Sequence, residues 1–180
     1  QKVVEPINIT FVGRISPYKG IEAFISAIRI IKKQIPAARF FIAGKPIKDY
    51  NVRLDRDLEE FVKLKQSHLT ICELVKVIEQ SKLIVCPYKE ATQSGVIMTA
   101  HSLGCPVLVS NVGGLAEYIE KNITGLVVDD LTPDSLAEEV INYYNQDLYG
   151  SMRKNIMTDS TSVYFRDLTS NLGVITTLYS

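Results

Sequence analysis

The stretch INITFVGRISPYKGIEAFISAIRIIKKQI, residues 7–35, holds a complete unit of secondary structure and fixes how the rest of the chain is read. Its first part, Ile7 to Val12, is short, apolar and β-branched, the composition of a buried strand. The period then changes: Ile21, Phe24, Ile25, Ile28, Ile31 and Ile35 recur at helical spacing, and Pro36 stops the pattern. Strand, tight connection and amphipathic helix in that order predict a crossover unit. Outward from it, Ala38 to Gly44, Lys82 to Tyr88, Pro106 to Ser110 and Gly125 to Val128 read as further buried strands. Between them Thr70 and Glu73 form a capping box that opens a helix over ELVKVIEQ, with Leu69 and Leu74 spaced as a hydrophobic staple. Another helix begins after Thr132 with Pro133 at its first position. Strands alternating with helices predict an α/β fold with a parallel sheet covered on both faces. Ligands of such sheets bind beyond the carboxyl ends of the strands, so chemistry is sought in the loops that leave them.

Composition narrows the classes of function. The 180 residues suit one domain, 1–180. Twenty basic residues balance twenty acidic ones, so no global field favours nucleic acid, and any anion site must be local. Cys72, Cys86 and Cys105 match neither a disulfide framework nor zinc spacing and are expected as buried thiols of a reducing cytoplasm. The start QKVVEPIN has no secretory pattern and no run reaches membrane-spanning length, so the chain is expected to be soluble. His68 and His101 have no partner at metal-ligand spacing. Neither GxGxxG after the first strand nor GxxxxGK[ST] occurs, which argues against a plain dehydrogenase or a P-loop enzyme.

Three strand-exit loops carry anion chemistry. In the first, Arg14 follows the strand and Lys19 precedes the helix, with Gly13 and Gly20 permitting a close turn. Two cations beside a helix N-terminus make a site for a diphosphate; the alternative is a solvated pair on an ordinary turn. In the second loop Thr92, Gln93, Ser94 and Gly95 lead into an apolar helix closed by Gly104. Thr92 or Ser94 can cap that helix, leaving the amides of Gly95, Val96 and Ile97 to hold a negatively charged oxygen. In the third, Gly113 and Gly114 stand between a strand and a helix beginning near Leu115, with Glu117 in its first turn as an acid stabilised by the dipole.

Taken together, FVGRISPYKGIEAFISA, FFIAGKP, LIVCPYKEATQSGVIMTAHSLGCPVLVSNVGGLAEYI, GLVVDDLTPDSLAEEV and VYFRDLTSNLGVITTLY resemble the C-terminal, donor-binding half of family 4 (group 1) glycosyltransferases. The resemblance covers nearly the whole chain. It implies the Rossmann-like half of a GT-B fold and a metal-independent transfer that retains anomeric configuration. It implies that Arg14 and Lys19 hold the diphosphate of a nucleoside-diphosphate sugar, the donor substrate, with Gly13, Thr92, Gln93, Ser94, Gly95, Val96 and Thr99 around the donor and no further cofactor. It further implies an N-terminal acceptor-binding domain not contained in this sequence. A C-terminal helix over about residues 160–180, with Tyr164, Phe165, Leu168, Leu172 and Ile175 at near-helical spacing, is expected to pack toward that domain. The broad expectation is polysaccharide or surface-glycan synthesis in the cytoplasm. Lipid-linked acceptors would bring the full protein to the inner face of the membrane.

Two departures qualify the resemblance. The pair of glutamates usual in the family falls on Ala91 and Thr99, and Glu90, next door, is not assigned the missing role. This leaves a non-catalytic nucleotide- or anion-binding module as the alternative to a transferase. Between GKP and ELVKVIEQ the pattern also lacks a strand: LEEFVKLKQSHLTIC runs from a helical pattern into the Thr70 cap. Because losing a sheet strand would expose an edge, a gap in the chain near Ser67–Ile71 is expected rather than a true deletion.

Overall fold

The computed structural model describes residues 8–91 and 94–158. The elements follow in the order β1 (Asn8–Val12), α1 (Ile21–Gln34), β2 (Arg39–Ala43), α2 (Arg56–Glu59), β3 (Val62–Lys65), α3 (Ile71–Glu79), β4 (Leu83–Cys86), α4 (Gly95–Ser102), β5 (Val107–Ser110), β6 (Gly125–Val128), α5 (Pro133–Asn145) and α6 (Leu148–Thr158). Six parallel strands lie side by side as β3-β2-β1-β4-β5-β6. The order reverses between β1 and β4, and a parallel sheet opens its ligand crevice at that point, outside the carboxyl ends of those two strands.

Local sequence explains most of these elements. Helix α1 buries Ile21, Phe24, Ala27, Ile28 and Ile31 along one stripe, each buried Ile or Phe contributing about 1.5–3 kcal/mol. Its Phe24 ring meets Phe40 of β2 edge-on, centroids 6.3 Å apart, on the face of the sheet that also carries Ile9 and Phe11. On the opposite face Thr10 of β1 bonds Ser81 at the end of α3, hydroxyl to hydroxyl at 2.6 Å. Helix α3 opens with the expected capping box: the Glu73 amide donates to Thr70 Oγ1 and the Thr70 amide to the Glu73 carboxylate at 2.8 Å. Lys65 pairs with that carboxylate at 2.6 Å and, with the Thr70 hydrogen bonds, holds it down to about 2. Thr132 caps α5, with Pro133 at the first helical position.

The expectation of a gap near Ser67–Ile71 is corrected. The segment FVKLK is not helical; α2 is a single turn, and the chain enters β3 and continues through residues 66–70 into α3. Val62 and Leu64 share the face of Phe40 and Ile42, while Lys63 lies beside Phe41 on the other, its ammonium 5.4 Å from that ring. Two lysines at alternate positions hid a strand whose apolar residues alternate with them. Cys72 is exposed rather than buried, since α3 turns its first residues to solvent; Cys86 and Cys105 are buried as expected. The expected helix over about 160–180 lies outside the described residues.

Beyond β2 a long loop lies across the carboxyl ends of the strands and is pinned at both sides. The Gln66 side-chain amide donates to the Val52 carbonyl at 2.9 Å, and its oxygen accepts from the Val52 amide at 2.7 Å. Nearer the sheet, Gly13 donates to the Ala43 carbonyl, Ile15 to Lys45, and Ile47 to Ile15, each at 3.0 Å. Gly44 sits against Gly13 so tightly that an added Cβ would overlap the Gly13 carbonyl oxygen. Gly44→Ala is therefore expected to cost about 3 kcal/mol, the upper end for overpacking. Thr70→Ala removes only a cap and should cost about 1 kcal/mol. Denaturant titration of both checks the ranking, and equal losses would contradict the close approach of the two loops.

Candidate functional site

The crevice at the strand reversal is built by the loops leaving β1, β4 and β5. In the first loop Ile15 is fully buried and its amide is spent on Lys45, so Arg14, one residue earlier, lies exposed at the rim. Residues Pro17–Lys19 then form one 3-10 turn that ends at Gly20, whose φ of 64° is left-handed. A Cβ at Gly20 would overlap the Pro87 carbonyl oxygen, and the Lys89 amide donates to the Tyr18 carbonyl at 2.8 Å. Those two contacts dock the loop after β1 onto the loop after β4.

Docking sets Lys19 against Tyr88. Its ammonium lies 3.4 Å from the centroid of that fully buried ring and 5.4 Å from the ring of Tyr18. Burial pulls Lys19 down to about 8; Cys86 acts against this, and the Arg14 charge adds a smaller effect in the same direction as burial. The Cys86 thiol beneath is pushed up to about 11, chiefly by burial, and stays neutral at ordinary pH.

Helix α4 begins beside this cation. Ser94 occupies its N-cap position but makes no capping bond; its buried hydroxyl instead lies 3.4 Å from the Tyr88 hydroxyl. Of the two expected caps, Ser94 does not serve and Thr92 lies outside the described residues, while the expectation of an open Ile97 amide is corrected, since it bonds the Ser94 carbonyl at 3.2 Å. Gly95 and Val96 remain as first-turn donors that the helical pattern itself does not use. A Cβ at Gly13 would come within 3.5 Å of Val96, so the first loop also abuts this turn. Thr99 is nearly buried and donates its hydroxyl to the Gly95 carbonyl at 2.8 Å, inside the helix. Thr92 and Gln93 lie outside the described residues. Of the positions matching the family's glutamates, Ala91 is half-buried, and neighbouring Glu90 is exposed.

From the third loop the Ser110 hydroxyl donates to the Tyr88 carbonyl, so the end of β5 braces the residue under Lys19. Glu117 is exposed in the first turn of the 3-10 segment Leu115–Tyr118. Sequence reasoning singled out Arg14 and Lys19 but not Tyr88 or Ser110, which pack against Lys19 and the strand end beneath it. The available signal was position alone: each stands at or just beyond the end of a strand next to the reversal.

These contacts imply a measurable cost. Lys19 loses its proton more readily folded, at about 8, than unfolded, at 10.5. The unfolded state therefore binds the extra proton between those values, and stability rises with pH across that window. Lys19→Met is expected to be more stable than the parent at neutral pH, with the difference closing as pH rises through the window. Denaturation curves at several pH values check this, and a difference that does not vary with pH would contradict it.

Comparison with known proteins gives this geometry its context. A family model described as group 1 glycosyl transferases matches residues 6–146. An uncharacterized glycosyltransferase of Methanocaldococcus jannaschii is 31% identical over 175 residues, covering 87% of this chain and 44% of that protein. Among solved structures, Anabaena HepE in complex with UDP superposes with a TM-score of 0.74 at 20% identity, over 98% of this chain and 49% of that one. The C-terminal domain of a group 1 family glycosyl transferase from Francisella tularensis gives 0.69 at 16% identity, over 93% and 86%. The chain spans less than half the length of the first curated relatives it matches.

Proposed function

This chain belongs to the group 1 glycosyltransferases, and we propose that it supplies the donor-binding half of a retaining enzyme that moves a sugar from a nucleoside diphosphate to an acceptor. The observation that carries the proposal is that Lys19, close enough to Arg14 to feel its charge, lies over the ring of Tyr88, whose hydroxyl reaches the head of α4, all at the strand reversal. The diphosphate lies between the two cations, with the amides of Gly95 and Val96 around it and Thr92 and Gln93 as further donor-binding residues by sequence. Gly13 leaves room for it beside Val96, and the buried Ser94 shapes the loop. Thr99 stiffens the first turn through its bond to Gly95 rather than donating to the ligand. The UDP in the Anabaena relative of the same fold supports a nucleotide donor.

Catalysis then follows from charge. As the bond between the anomeric carbon and the diphosphate oxygen breaks, negative charge gathers on the leaving group. Arg14 and Lys19 are already in place to receive it, so they stabilise the transition state without reorganising. The acceptor, a glycan or a lipid-linked saccharide of polysaccharide or surface-glycan synthesis, is held by a further domain of the longer protein, and closure of the two completes the site. On this reading the full protein works in the cytoplasm at the inner face of the membrane, as a peripheral partner. Among the described residues no helix is long and apolar enough to cross a bilayer. The present chain binds donor but does not turn it over.

A second reading, a nucleotide-binding module without transferase activity, draws on Ala91 and Thr99 at the positions of the family's glutamates. Donor hydrolysis or transfer by the full-length protein separates the two readings.

Titration calorimetry with UDP, GDP and ADP tests the site and identifies the base. Each lost charge-assisted contact costs about 1.5–3 kcal/mol. Arg14→Ala and Lys19→Ala should each weaken the preferred nucleotide by about tenfold to a hundredfold, and the double variant should abolish binding. Unchanged affinity in the double variant would remove the assignment. Because protein cations carry the diphosphate's charge, the chelator EDTA is expected to leave the affinity as it was.

A further inference from the structure

Tyr88 is fully buried where the loops after β1, β4 and β5 meet, and it touches a contributor from each. Its ring faces the Lys19 ammonium at 3.4 Å. Its hydroxyl reaches Ser94 at the head of α4, at 3.4 Å, and the side chain acts to lower the Cys86 thiol that burial pushes up. From behind, Ser110 holds its carbonyl. A half-buried ammonium has lost much of its water, and a negative ring face replaces part of that lost stabilisation. The other groups facing Lys19 offer less: Arg14 repels it, the Tyr18 ring is farther away, and Cys86, which favours the charged form, is a thiol that stays neutral at ordinary pH.

We propose that Tyr88 is a positioning residue of the diphosphate site: its ring keeps the Lys19 ammonium charged and aimed at the crevice, and its hydroxyl sets where Ser94 and the first turn of α4 stand relative to that charge. The inference rests on the donor-site reading above but concerns a residue that does not touch the donor. Removing the ring leaves Lys19 with burial and the Arg14 charge, offset only by Cys86 and the more distant Tyr18 ring. Lys19 then releases its proton at lower pH, and anion affinity begins to fall at lower pH as well. Removing only the hydroxyl leaves the proton affinity of Lys19 unchanged and loosens Ser94.

Nuclear magnetic resonance of the chain labelled with carbon-13 lysine follows the Lys19 ε-carbon through a pH titration, with the signal assigned by Lys19→Arg. In Tyr88→Phe the midpoint is expected to match the parent, near 8. In Tyr88→Leu it should fall by about one pH unit, within the range of a desolvated cation–π contact. Should the leucine variant lose its dispersed amide spectrum, a trifluorinated phenylalanine at position 88 keeps the ring's shape, drains its negative face and is expected to lower the midpoint in the same direction. A midpoint unmoved by loss of the ring face overturns the role of Tyr88. UDP calorimetry on the same proteins separates the two claims. The expected result is about a tenfold loss for Tyr88→Leu at pH 8, with the fall in affinity displaced to lower pH, and a smaller, pH-independent loss for Tyr88→Phe. UDP binding absent from the parent and every variant overturns the diphosphate reading itself, whatever the midpoint does.

Discussion

Everything at the crevice depends on how closely the loop after β1 lies on the loop after β4. Gly20 rests on the Pro87 carbonyl with no room for a side chain, and the Lys89 amide reaches back to Tyr18. These are backbone contacts, so the loops hold their spacing independently of what the side chains around them do. Lys19 follows from that spacing: it stands between a glycine that cannot move and an aromatic ring already buried below it. The sheet underneath supplies the rest, because β1 and β4 are neighbours only where the strand order turns back.

Burying a lysine works against the fold. The protein accepts that cost at Lys19 and meets it with a ring face, where another fold would use a carboxylate. The choice has a chemical reason. A carboxylate partner would cancel the charge that an anionic ligand needs, whereas a π face steadies the ammonium and leaves its field free to act. Arg14, exposed at the rim, adds a cation that needs no such support. The pair thus combines one exposed charge with one held against a buried ring.

Legibility in the sequence divides along physical lines. Helix α1 and the caps at Thr70 and Thr132 could be read directly, because hydrophobic period and capping chemistry are local properties. Arg14 and Lys19 were legible for the same reason, as cations flanking a turn between a strand and a helix. Strand β3 was not: VKLK alternates lysine with apolar residues beside a helix-like run, and only its pairing with β2 decides its state. Tyr88 escaped notice because its significance lies in contact with Lys19, 69 positions earlier by their numbers (88 less 19), and nothing local predicts which loops a sheet will bring together. Ser94, one of the two residues expected to cap α4, does not do so for a related reason: its hydroxyl faces Tyr88 rather than its own helix.

The clasp between Gln66 and Val52 reaches beyond the loop it steadies. Strand β3 ends the sheet, and an unpaired strand is a template on which a second chain can add by backbone pairing. Here that margin is only four residues long and bears two lysines, and just past it a side-chain amide has satisfied the backbone donor and acceptor of Val52. A foreign strand would find the margin short and positively charged, with the loop already fastened across its end. Copies of the chain are thereby discouraged from zipping edge to edge into fibres along this margin.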